Sequence, residues 1–192
     1  MSEENIGGED SIIDERRKKL EILRKNNKAY INDFQKNHYA DDLHTNNDSF
    51  SKEELAKKDI NNISIAGRII LKRVMGNASF ATIRDKSGDI QIYVSKNTIP
   101  EEAYEEFKTW DLGDIAGVTG KLFKTKTNEL TIEADDVVLL TKAIRPMPDK
   151  FKGLADIETK YRQRYLDIMS NEDSKNVFLS RTKIIESLRS SL

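Results

Sequence analysis

The 192-residue chain has no cysteine and only two histidines. Without cysteine there can be no disulfide and no thiolate-ligated metal. His38 and His44, both read as surface-loop residues, have no third ligand beside them to suggest zinc. No run approaches the roughly 18 apolar residues needed to cross a bilayer. The opening Met1-Ser2-Glu3-Glu4 lacks the basic and apolar regions of a secretory signal. These absences point to a cytoplasmic protein with no membrane partner. A charge excess of one sign is also missing: 32 basic residues stand against 33 acidic ones, for a net charge of −1. That balance excludes a protein that coats nucleic acid through bulk electrostatics.

What is present is charge in quantity and in blocks. Charged residues make up 34% of the chain and hydrophobic ones 37%, as in a soluble protein with much exposed helix. The length suits one domain with appendages or two small ones. Between Arg68 and Lys96 six basic residues face two acidic ones, whereas from Glu101 to Asp114 six acidic residues face only Lys108. Such runs either solvate a surface or mark a binding region.

Two short segments inside the basic block alternate apolar with polar. In Ser79-Phe80-Ala81-Thr82-Ile83-Arg84-Asp85 a strand period of two sends Ala81 and Ile83 to one face and Phe80, Thr82 and Arg84 to the other. In Asp89-Ile90-Gln91-Ile92-Tyr93-Val94 it buries Ile90, Ile92 and Val94 and turns Gln91 and Tyr93 outward. Lys86 to Asp89 reads as the hairpin loop between them. A ring, a carboxamide and a guanidinium on one wet surface suit an unstacked nucleobase. The alternative is that a helix or partner segment covers Phe80.

Residues 1–13 are acidic and glycine-containing and read as a mobile tail. Residues 14–60 read as a helical extension: Asp14–Lys25 is a helix with Leu20 and Leu23 on one stripe and a basic face able to touch phosphates. A polar loop follows to Asp48, and Ser51-Lys52-Glu53-Glu54 is a capping box opening a helix over Glu53–Lys58. Residues 61–145 are β-rich. Ile63–Val74 is strand one, with a bulge or bend expected at Gly67, and 79–85 and 89–95 are strands two and three. Pro100–Phe107 is a helix. Asp114–Thr125 is strand four, and Glu129–Thr141 is strand five, with a break expected near Asp135-Asp136. Three strands, a helix and two strands make the order of a five-stranded OB-fold barrel, here with flanking helices.

Parity places Leu130 and Ile132 inside and Glu129, Thr131 and Glu133 outside; Glu129 is either a base-edge acceptor or a solvated carboxylate. Strict alternation groups Arg73 with Ile69 and Leu71, so only a bulge or the strand's end turns it outward. Met147–Gly153 reads as a linker within residues 146–192. A helix over Glu158–Asp167 spaces Tyr161 and Tyr165 on one face, and a last helix from Asn171 carries Val177, Ile184, Ile185 and Leu188. Its apolar stripe has no covering element, which suggests a truncated chain or an obligate oligomer.

Ile65-Ala66-Gly67-Arg68, Met75 to Phe80, Trp110-Asp111-Leu112-Gly113-Asp114, Lys121 to Thr127, Arg145 to Lys150 and Tyr161 to Asp167, in that order, resemble the N-terminal part of a bacterial class II lysyl-tRNA synthetase. The resemblance implies an OB-fold that binds the anticodon loop of lysine tRNA. Phe80 would stack on the central uridine, Gln91 and Arg73 would contact that base, and Glu129 would lie in the neighbouring surface. It also implies a full-length homodimer, paired through its catalytic domain, that uses ATP and Mg2+ to attach lysine through lysyl-adenylate. This fragment, in which residues 146–192 would be the linker and the start of a truncated catalytic domain without the ATP-binding motifs, would be inactive alone. Aspartyl and asparaginyl relatives have a similar Phe/Gln pair, and a generic single-strand-binding OB module remains the other alternative. Asn128 departs from the glycine often found in this hairpin, at a position where asparagine tolerates positive φ.

Overall fold

In a computed structural model, residues 3–148, 154 and 156–192 are described, and the chain divides into two units, Met1–Pro146 and Met147–Leu192. In the first unit, β-branched residues at alternate positions build five strands: β1 (Ile63–Met75), β2 (Ala78–Arg84), β3 (Asp89–Ser95), β4 (Ile115–Lys124) and β5 (Leu130–Thr141). They close into a barrel in the order β1-β2-β3-β5-β4, with only the β3–β5 pair parallel. Ile63, Ile65, Ile69, Ile83, Ile92, Val94, Val118 and Ile132 fill its interior at 0–1% exposure. Closure leaves no free sheet edge.

The helices before β1 are α1 (Glu3–Lys25), α2 (Ala40–Asn47) and α3 (Lys52–Lys58), and α4 (Glu101–Thr109) joins β3 to β4. The acidic stretch expected to be a mobile tail is therefore helical from Glu3 onward. Ala40–Asn47, expected to be loop, is helical too, and it carries His44, whose Nδ1 meets Asp48 and whose Nε2 meets the Asp89 carbonyl. The capping box forms as expected: Ser51 Oγ accepts from Glu54 N–H while the Glu54 carboxylate accepts from Ser51 N–H. Amphipathic α4 lays Tyr104 and Phe107 on the core at 0% exposure. The Tyr104 hydroxyl meets Ser79 Oγ and donates to the Gly76 carbonyl, both at 2.9 Å.

Three irregularities set the barrel's geometry. The register of β1 against β2 shifts between Ile69 and Leu71, so the bulge lies at Ile70 and not at Gly67. Gly67 has a different role, because a Cβ there would sit 2.5 Å from the Arg84 carbonyl oxygen; its missing side chain lets β2 approach. In β5 the expected break is a bulge in a continuous strand, where pairing passes from Asp136–Thr119 to Ala134–Gly120 and skips Asp135. Asn128 adopts φ +64°, as its side chain permits.

The second unit contains α5 (Ile157–Arg162), α6 (Arg164–Ser170) and α7 (Glu172–Ser191). The single helix expected over Glu158–Asp167 is interrupted at Gln163, at φ −118° and ψ 54°, so Tyr161 and Tyr165 do not share one helical face. The N-terminus of α7 is capped by Asn171 Oδ1, which accepts from the Asp173 and Ser174 amides. Val177, Ile184, Ile185 and Leu188 along α7 are exposed. Most of the expected linker, Asp149–Gly153, lies outside the described residues.

Candidate nucleic-acid interface

The bulge at Ile70 decides which side chains meet on the barrel's outer face. It reverses the parity of β1, so Leu71 pairs with Thr82 and Arg73 with Phe80. Directly paired residues point to the same side, so Arg73 faces outward. Two transverse rows result: Leu71, Thr82, Gln91, Thr131 and Phe123, and beside it Arg73, Phe80, Tyr93, Glu133 and Lys121. The expected faces of β2 and β3 hold, with Ala81, Ile83, Ile90, Ile92 and Val94 buried and Phe80, Gln91 and Tyr93 partly exposed. Phe80 leans on Tyr93 at 5.1 Å between ring centroids, and Tyr93 meets Phe123 edge-on at 6.0 Å. The aromatic cluster therefore runs from Phe80 through Tyr93 to Phe123 on β4.

A cleft of about 440 Å³ opens on this face, lined by Leu71, Arg73, Met75, Phe80, Thr82 and Gln91, with Thr127 and Glu129 from the β4–β5 turn. All four residues singled out from the sequence, Arg73, Phe80, Gln91 and Glu129, line it. Thr131 does not stand in solvent as parity suggested. It is 0% exposed, between its pairing neighbours Gln91 and Phe123, and its hydroxyl donates to Gln91 Oε1 at 3.0 Å.

The surrounding charges are used internally. Of the six cations from Arg68 to Lys96, Arg68 donates to the Gly113 carbonyl, and Lys72 donates to carbonyls of Phe107, Lys108 and Trp110. Burial pushes the Lys72 ammonium below its ordinary value. Arg84 pairs with Asp89, Lys86 sits over Tyr39, and Lys96 bridges Glu101 and Glu105. Among the described residues, Arg73 is the one of the six without a protein partner, and the Glu129 carboxylate is also unpaired. The expected phosphate-facing side of α1 is likewise engaged in part. Arg16 donates to the Ala143 and Arg145 carbonyls, and Lys19 pairs with Glu15 and Asp111. Among the described residues no group of three or more His, Asp or Glu is placed to hold a metal ion, and no helix is long and apolar enough to cross a membrane.

Residues 63–140 match the family model of the tRNA anticodon OB-fold, a nucleic acid binding domain. The barrel is an OB-fold. Beyond it, the chain is similar to lysine–tRNA ligases almost from end to end. It is 53% identical to the one from Idiomarina loihiensis over 92% of this chain, and 53% identical to the one from Mannheimia succiniciproducens over 91%. To that of Shigella dysenteriae it is 49% identical over 98%. The chain spans only 35–39% of the length of these relatives.

Proposed function

We propose that this OB-fold domain binds the anticodon loop of lysine tRNA and grips its central uridine. Phe80 stacks on the base, Gln91 and Arg73 contact its edge, and Glu129 lines the neighbouring surface. The observation that carries this reading is the set of unused groups around one aromatic cleft: a guanidinium, a carboxylate and a carboxamide NH2, none with a protein partner among the described residues. An unpaired loop nucleotide supplies the ring face and edge groups they lack. Because aspartyl and asparaginyl synthetases read the same central base, the assignment to lysine rests on the identity of about one half to lysine–tRNA ligases.

The same proposal covers the parent protein. The remaining two-thirds of such enzymes would activate lysine as lysyl-adenylate and transfer it to tRNA in the cytoplasm. ATP and Mg2+ belong to that part, and none of this chain's residues is proposed to hold them. Pairing into a homodimer through the catalytic domain is supported by the uncovered apolar stripe of α7. This chain alone would bind RNA and carry out no aminoacylation, and ATP-dependent charging by the purified 192 residues would overturn that division.

The test measures binding of a lysine anticodon stem-loop and of one with the central uridine replaced. Phe80→Ala and Gln91→Ala should each weaken the matched loop by about 1 kcal/mol or more. If neither variant changes affinity, the anticodon reading fails. Equal binding of both loops by the unaltered chain would instead indicate a generic single-strand binder.

A further inference from the structure

Thr131 deepens the anticodon reading, on which its role here rests. A glutamine amide can present either its oxygen or its NH2 to a ligand, and which one it presents depends on the bonds made by the other end. Thr131 Oγ lies 3.0 Å from Gln91 Oε1 and 3.2 Å from the Glu129 carbonyl oxygen. A hydroxyl has one proton to donate. The Glu129 carbonyl already accepts from the Thr125 amide at 3.0 Å, whereas Gln91 Oε1 has no other donor among the described residues. Gln91 Oε1 is both the nearer acceptor and the one otherwise without a donor, which favours it for the proton, and Thr131 is buried at 0% exposure, where water does not compete for it.

We infer that Thr131 is a positioning residue that sets the polarity of base reading: it occupies the Gln91 oxygen and leaves the NH2 facing the cleft. A site that presents a donor accepts a base with a carbonyl at the matching position. Uracil carries O4 where cytosine carries an amino group, which would oppose the Gln91 NH2 donor to donor. Without the Thr131 proton the amide is free to rotate and offer its oxygen to cytosine. Thr131 thus contributes to discrimination without touching the base.

The experiment compares stem-loops with uridine or cytidine at the central position, using this chain, Thr131→Val, Thr131→Ser and Gln91→Glu. Valine is close to isosteric and lacks the proton. Thr131→Val should lower the uridine-over-cytidine ratio about fivefold or more, whereas Thr131→Ser retains it. Gln91→Glu, which has only acceptors, should shift preference toward cytidine; both loops carry the same phosphates, so the added charge cancels in the ratio. An unchanged ratio in Thr131→Val, equal loss on both loops, or a retained uridine preference in Gln91→Glu would overturn the inference. Absence of any uridine preference in the unaltered chain would instead sink the anticodon reading itself.

Discussion

Two sides of the barrel use charge in opposite ways. Where α1, the loop before β4 and the end of β5 meet, Lys19, Asp111, Asp114 and Lys142 are matched to one another. Lys142 donates to both Asp114 carboxylate oxygens and to Asp111, and Asp114 also accepts from the Asp111 and Ala143 amides. Burial pushes the Asp111 carboxyl upward, but Lys142 and Lys19 outweigh it, so the group sits below the usual carboxylate range. On the cleft side, Arg73 and Glu129 have no such matches. The difference teaches that residue type does not separate structural from ligand-binding charge, whereas the presence of an internal partner does. The largest effect that could break the comparison is expected at Lys142, whose side chain is 2% exposed beside Asp114 at 0%. Lys142→Ala leaves a buried carboxylate uncompensated and should cost about 3–5 kcal/mol in urea unfolding. RNA affinity of the folded protein should be retained; parallel loss of affinity would erase the distinction between the two sides.

Phe80→Ala is the converse. It should remove about 1–3 kcal/mol of stem-loop binding, the range for one base stacked on an aromatic ring. Because Phe80 lies outside the sealed interior, the urea midpoint should move less than in Lys142→Ala. A larger loss of stability than of affinity would make Phe80 a packing residue supporting Tyr93.

How much of this was legible depended on whether the deciding contact was local. The outward positions of Phe80 and Gln91 follow from alternation along single strands. Arg73 could not be placed because its orientation depends on a bulge at Ile70, set by pairing with β2. The parity of Thr131 was readable but its burial was not, since the cover comes from other strands. Helix α2 was missed because no side chain caps it locally. Its first amides are satisfied from across the fold, Ala40 N–H by Asp85 Oδ2 and Asp41 N–H by Ser87 Oγ, both at 3.0 Å. By contrast α3, whose capping box is contiguous, was found directly.

That remote cap provides the next test. Burial raises the Asp85 carboxyl, but bonds from the Ser87 hydroxyl and the Ala40, Gly88 and Ser87 amides outweigh it and hold it below its ordinary value of 3.8. A carboxylate depressed in the folded state stabilises the fold above its unfolded pKa, and that contribution is lost as pH falls through the folded value. Stability should therefore decline below about pH 4, in part through Asp85. Asp85→Ala should cost about 1–2 kcal/mol at pH 7, toward the lower end for charged hydrogen bonds because the group is partly exposed. Urea titrations at pH 7 and pH 3 check this: the gap between the two proteins should narrow at the lower pH, and a constant gap would mean that the charge of Asp85 does not matter.

The smallest effect is the most discriminating, because it asks what kind of unmatched charge Arg73 is. Arg73→Lys keeps the cation but replaces a planar fork of donors with a point charge. If Arg73 met only phosphate, lysine would substitute well, and affinity would fall equally on matched and mismatched loops. If it reads the base edge beside Gln91, Arg73→Lys should lower affinity for the uridine loop by up to about tenfold, with less effect on a loop carrying another central base. The slope of log affinity against log salt should stay the same, since the number of cations facing the RNA is unchanged. Arg73→Met should reduce that slope by about one unit only if Arg73 meets a phosphate. An Arg73→Lys protein that binds both loops as the unaltered chain does would move Arg73 from base reading to general attraction, leaving Phe80 and Gln91 to carry the specificity of the cleft.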